Sequence, residues 1–130
     1  MGWIQAYLKG GNYYSWIKVD RMKTYVITYN QFEGIHYWKD APAPVGYLQN
    51  PHRHNFIIQC KFQVKHDDRD LEIIIQQNKI KNFLFDRYGL PAMFGTMSCE
   101  MIAKEILLYF KQCVACRVLE DGFGGAEVVR

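Results

Sequence analysis

Three histidines carry the strongest chemical signal in this sequence. His52 and His54 lie two apart in Asn50-Pro-His-Arg-His-Asn55, at the entrance of a run with strand character. Side chains at i and i+2 of a strand leave from the same face, so both imidazoles can reach one metal ion. Two ligands do not hold zinc. Of the other histidines, His66 sits in the polar stretch His66-Asp-Asp-Arg-Asp70, whereas His36 ends an earlier strand-like run that can lie beside this one. His36 is the better third ligand. Three imidazoles leave a fourth zinc position open to water or substrate, the arrangement of a catalytic site. The plain alternative is a polar strand entry beside a proline, with no metal. Strict alternation also puts His52 and His54 on the face of Phe56 and Ile58, so either the site borders the core or a bulge switches sides.

A rival metal reading uses Cys113-x-x-Cys116, the spacing of a zinc knuckle or redox pair. Only one such pair exists, and Cys113 falls on an apolar stripe, which favours a buried thiol. The four cysteines of a core-sized chain are expected to be free.

The elements that must position these residues follow from periodicity. Residues 1–21 hold two short aromatic runs around Gly10-Gly-Asn12, the pattern of a hairpin. Tyr25-Val-Ile-Thr-Tyr29 predicts a strand within Met22 to His36, ending near Gly34. Asp40 to Gly46, with two prolines, reads as loop. From Asn55 to Lys65, Phe56, Ile58, Cys60, Phe62 and Val64 alternate with polar residues, the mark of a half-buried strand. Leu71 to Ile75 is expected to return as its hairpin partner. Asn78 is the expected cap of a helix with Ile80, Phe83, Leu84 and Tyr88 on one face, stopping at Gly89 and Pro91. Ser98 caps a second helix with a stripe from Ile102 and Ile106 through Cys113. Arg117 to Leu119 and Ala126 to Val129 form two strands around a glycine turn. Strands and helices in separate runs predict an α+β domain, an antiparallel sheet with its helices on one face.

At 130 residues, 49% hydrophobic and 22% charged, the chain suits one domain. No run is long and apolar enough to span a membrane. Met1 to Lys9 lacks a signal-peptide pattern, so the expected compartment is the cytoplasm. A net charge of +3 without a dense basic cluster argues against nucleic acid as the main partner, and suits a phosphorylated small molecule.

Taken in order, Phe32-Glu-Gly-Ile-His36, Asn50 to Asn55, Met97-Ser-Cys-Glu-Met-Ile-Ala103, Val118-Leu-Glu-Asp121 and Ala126-Glu-Val128 resemble the 6-pyruvoyl- and 6-carboxy-tetrahydropterin synthase family. That family has an F-x-x-x-H strand end, an H-G-H-N strand start, a P-T-x-E-N-x-A helix start and a V-x-V-x-E strand end. The resemblance covers residues 22–130 and leaves 1–21 as an N-terminal extension. It implies the tunnelling fold (T-fold): a four-stranded antiparallel sheet with two helices on one face, here with an added N-terminal hairpin. It also implies homo-oligomers, trimers usually doubled to hexamers, with sites between subunits.

The resemblance further implies zinc on His36, His52 and His54, a ring-anchoring carboxylate at Glu120, and Ser98 and Glu100 lining the same pocket. A carboxylate can accept two parallel hydrogen bonds from the amino-pyrimidine edge of a pterin or guanine. Ser98 as a plain helix cap and Glu100 as a first-turn carboxylate need no ligand. Two departures stand out. Gly46-Tyr-Leu-Gln-Asn50 lacks the family's catalytic cysteine, and Phe85-Asp86-Arg87 has arginine where the family's dyad has histidine. Arginine does not exchange a proton near neutral pH. Tyr47, Asp86 and Glu100 are the available acid-base substitutes. The expectation is a zinc-dependent lyase with altered or lost catalytic residues, acting on a reduced pterin or purine-like ligand in the pterin or deazaguanine (queuosine) pathway. The alternative is an inactive T-fold protein that holds or sequesters a pterin, purine or nucleotide.

Overall fold

The computed structural model describes residues 3–7, 13–18 and 22–130. The chain is α+β. Strands β1 (Trp3–Tyr7) and β2 (Tyr13–Lys18) pair antiparallel as a two-stranded sheet, as the aromatic runs suggested; the expected turn at Gly10-Gly-Asn12 lies outside the described residues. Next come β3 (Thr24–His36), a 3-10 segment (Ala43–Gln49), β4 (His52–Val64), α1 (Ile73–Tyr88), β5 (Ala92–Gly95), α2 (Cys99–Tyr109), β6 (Cys113–Glu120) and β7 (Gly124–Val129). No helix among the described residues is long and apolar enough to cross a membrane.

The main sheet has five strands in the order β5-β3-β4-β6-β7, rather than four. It is mixed: β5 joins the end of β3 in parallel, and the other pairs are antiparallel. Its central strand shows why the sheet holds together. Along β4, Phe56, Ile58, Cys60, Phe62 and Val64 are buried, whereas Arg53, Lys61 and Gln63 stay exposed. Pairing of β3 with β4 runs without a register shift from Thr24 opposite Val64 to His36 opposite His52. No bulge intervenes between the histidines and the core, so the site borders the core on the helix-covered face. Gly34, opposite His54, makes this possible: a Cβ there would meet Phe94 at 2.6 Å and Phe56 at 3.0 Å. Both helices close the core over that face, through Ile80, Phe83 and Leu84 of α1 and Ile102 and Ile106 of α2.

Three sequence expectations need correction. Leu71 to Ile75 is not a hairpin arm, because β4 is already paired on both sides, with β3 and β6. The helix instead begins there, capped by Glu72, whose carboxylate accepts from Ile75 N–H at 2.8 Å, six residues before the expected Asn78. It leaves Ile73, Ile74 and Ile75 facing solvent. Helix α2 ends at Tyr109, so Cys113 belongs to β6 rather than to a helical stripe.

Candidate metal centre

The register that aligns β3 with β4 places His36 directly opposite His52, with His54 two residues inward on the same face. Ring centroids are 4.7 Å apart for His36 and His52, 4.9 Å for His52 and His54, and 5.2 Å for His36 and His54. One nitrogen from each ring lies within 4.8 Å of the other two, a grouping that can hold a metal ion. The other nitrogens fix how the rings face. His36 Nδ1 lies 2.9 Å from the Met97 carbonyl, His52 Nδ1 lies 2.8 Å from the Asn50 carbonyl, and His54 Nδ1 lies 2.6 Å from Asp121 Oδ2. A carbonyl or carboxylate only accepts, so each Nδ1 carries its proton and donates. In the neutral ring Nε2 is then the nitrogen with the lone pair, the form of imidazole that binds metals.

Two of those lone pairs are stranded. His36 Nε2 and His54 Nε2 are buried and have no hydrogen-bond partner. Glu120 approaches both, with Oε1 3.2 Å from His36 Nε2 and Oε2 3.4 Å from His54 Nε2. These contacts are close enough for an ion pair, yet neither makes a hydrogen bond. Burial holds His36 below the usual imidazole range, which keeps it neutral. Two buried ring nitrogens without hydrogen-bond partners therefore face a carboxylate, an arrangement that a cation between them satisfies. The residues present fit a metal ion on this ground.

Asp121 supports the cluster from behind. Its Oδ1 accepts from Asn55 N–H at 2.8 Å, and its own N–H donates to the Asn55 carbonyl at 2.9 Å. With its carboxylate pinned there, it fixes the tautomer of His54; the hydrogen bond from His54 in turn lowers the Asp121 pKa. Sequence reasoning read Asp121 only as the edge of a glycine turn. The signal was its place just past the end of β6, across from Asn55.

A cavity of about 510 Å³ opens over the cluster, lined by His36, His52, Ser98, Glu100 and Glu120 among others. Five of the expected site residues thus share one pocket. Ser98 also caps α2, its Oγ accepting from Met101 N–H at 3.2 Å, so the plain reading of that residue holds beside the pocket role. Trp38 and Met97 add apolar lining that the sequence did not flag. So does Cys99, which is buried and directs its thiol to Glu120 Oε1 at 3.6 Å. Burial, then the Glu120 charge, pushes that thiol up to about 12, so it serves as a donor and not as a nucleophile.

The remaining expected residues lie elsewhere. Tyr47 is 71% exposed on the 3-10 segment and does not line the pocket. Asp86 lines a separate cavity with Lys79 and Lys111. The Cys113-x-x-Cys116 pair is buried in β6, and Cys116 Sγ sits 3.9 Å from Cys60 Sγ. All four cysteines are free, and among the described residues the histidines form the one cluster that can hold a metal.

No protein-family model matches the chain, and no curated protein matches it.

Proposed function

We propose that the chain is a zinc-binding protein of the tetrahydropterin synthase type, whose pocket takes a planar amino-pyrimidine ligand such as a reduced pterin or a purine-like ring. The observation that carries this reading is the set of three imidazoles with every Nδ1 committed to an acceptor and every Nε2 left for a metal, at the wall of a cavity that also holds Glu120. Zinc fits neutral histidine ligands, and when bound it would act as a Lewis acid toward a ligand oxygen. Glu120 can accept paired hydrogen bonds from the N–H edge of the ring, while Ser98 and Glu100 frame the pocket wall. The order of β3, β4, β6 and β7, antiparallel throughout with both helices between β4 and β6, supports the tunnelling fold, with β5 as an added edge strand. Ile27 and Tyr29 on the sheet face opposite the helices, each about half exposed, support assembly as a trimer or hexamer.

The chemistry divides into two readings. A lyase needs a proton-transfer group near the ring. Of the three acid-base candidates only Glu100 lines the pocket, and the position of Tyr47 and Asp86 outside it favours the second, a protein that binds the ring without converting it. Incubating the zinc-loaded chain with dihydroneopterin triphosphate and following it by mass spectrometry separates the two. Release of product means an enzyme, and retention of the unchanged compound means a binder. Neither release nor retention, of this compound or of guanine nucleotides, would contradict the ligand class.

A further inference from the structure

The three-histidine reading leaves the fourth metal position unassigned. The geometry points to Glu120 as the ligand that fills it when no small molecule occupies the pocket. This rests on the metal reading above and extends it.

The distances carry the argument. Zinc–ligand bonds of 2.0–2.1 Å in tetrahedral geometry set neighbouring donor atoms about 3.3 Å apart. Glu120 Oε1 to His36 Nε2 is 3.2 Å, and Oε2 to His54 Nε2 is 3.4 Å. Each oxygen thus stands about one donor–donor separation from one imidazole nitrogen, so the carboxylate borders the metal position on the side of His36 and His54. Neither contact is a hydrogen bond, because neither Nε2 has a partner. The carboxylate is not there by default either, since Glu120 is about a third exposed and could turn to solvent. It is held inward by the Cys99 thiol, which donates to Oε1 at 3.6 Å. Strand pairing fixes its backbone, with Glu120 opposite Phe56 in β4 and opposite Gly124 in β7.

A carboxylate on the metal changes what the site does at rest. Three neutral imidazoles and one carboxylate give a closed centre with no position for water, so bound zinc is inert until the carboxylate leaves. The group suited to draw it away is a ligand with two adjacent N–H donors, because a carboxylate accepts such a pair in parallel. Ring binding would then open the metal, and only in the presence of a ring. Glu120 is thereby a gate on the metal as well as an anchor for the ligand.

The test uses the full chain loaded with Co2+, whose visible absorption reports coordination, and azide as the probe for an open position. Wild type is compared with Glu120→Gln and with Glu120→Asp, each checked for folding by circular dichroism. The expected result is a weak azide response in wild type and a strong one in Glu120→Gln. Zn2+ affinity should also fall at least about tenfold in Glu120→Gln, with Glu120→Asp between the two. Equal azide responses in wild type and Glu120→Gln would overturn the assignment, whatever the affinity did, and would leave the histidine site standing. Failure of wild type to bind Co2+ or Zn2+ at all would overturn the histidine site itself. X-ray absorption of zinc-loaded wild type gives a check independent of the variants: three imidazoles and one carboxylate are expected, and three imidazoles with water would contradict the assignment.

Discussion

Two of the cavities among the described residues are of similar size, and they differ in what their polar groups still lack. The one beside α1 measures about 580 Å³ and is lined by Lys79, Asn82, Asp86, Lys111 and Gln112, all exposed. Donors and acceptors among these are mixed, and water can satisfy them. The one over the histidines is slightly smaller, about 510 Å³, but beside it His36 Nε2 and His54 Nε2 are buried without a hydrogen-bond partner. Size does not separate the two. An unmet chemical need does, and it is a need that a cation meets.

The sharpest way to break that contrast is to remove one imidazole. His54→Ala is expected to weaken zinc binding by more than about a hundredfold, beyond the range seen when only an outer partner is lost, as measured by competition with a chelator of known affinity. A loss of less than tenfold would mean that His54 is not a ligand. Asp121→Asn keeps the shape but removes the charge that orients His54. A drop of about 10–100-fold is expected in the same assay, and an unchanged constant would assign Asp121 to the turn alone.

Acidification is a gentler probe. Burial depresses the His36 pKa from its ordinary 6.5, so the unfolded chain binds the proton more readily than the folded one. The associated stability is present above about pH 6.5 and is lost as pH falls from there through the depressed folded value. Thermal melts of the metal-free chain should therefore fall in Tm between pH 7.5 and pH 5, and His36→Gln should flatten the slope over that interval. A slope that is the same in both proteins would detach His36 from the effect. The smallest expected change is in the other cavity. Asp86→Asn and Lys79→Ala should leave zinc affinity unaltered, and a measurable shift would mean that the two cavities communicate.

How far the sequence displayed this site depended on the kind of signal. The alternation from Phe56 to Val64 is a period-two pattern, and a strand paired on both sides with one face buried must obey it; whether a bulge turned His52 and His54 to the other face stayed open until the unshifted register with β3 excluded it. Pairing of His36 with His52 needed only that two consecutive strands be neighbours. The start of α1 was hidden, because Ile73-Ile-Ile75 is β-branched and reads as strand; the Glu72 cap and the lack of a free edge on β4 overrode that propensity. Strand β5 is four residues long, too short for a period, and exists because the end of β3 offers an edge. Cys99 and Asp121 were invisible as site residues since their roles come from what folding brings beside them, Glu120 for one and His54 for the other. Asp86 failed in the opposite sense. Its sequence position suggested the pocket, but the turn of α1 carries it to the other cavity.

The most direct test of the central claim is the metal content of the purified full chain after dialysis against metal-free buffer containing a weak chelator. The account predicts about one zinc per chain, retained by wild type and absent from His54→Ala. A folded wild-type chain that neither retains zinc nor takes it up on addition would contradict it.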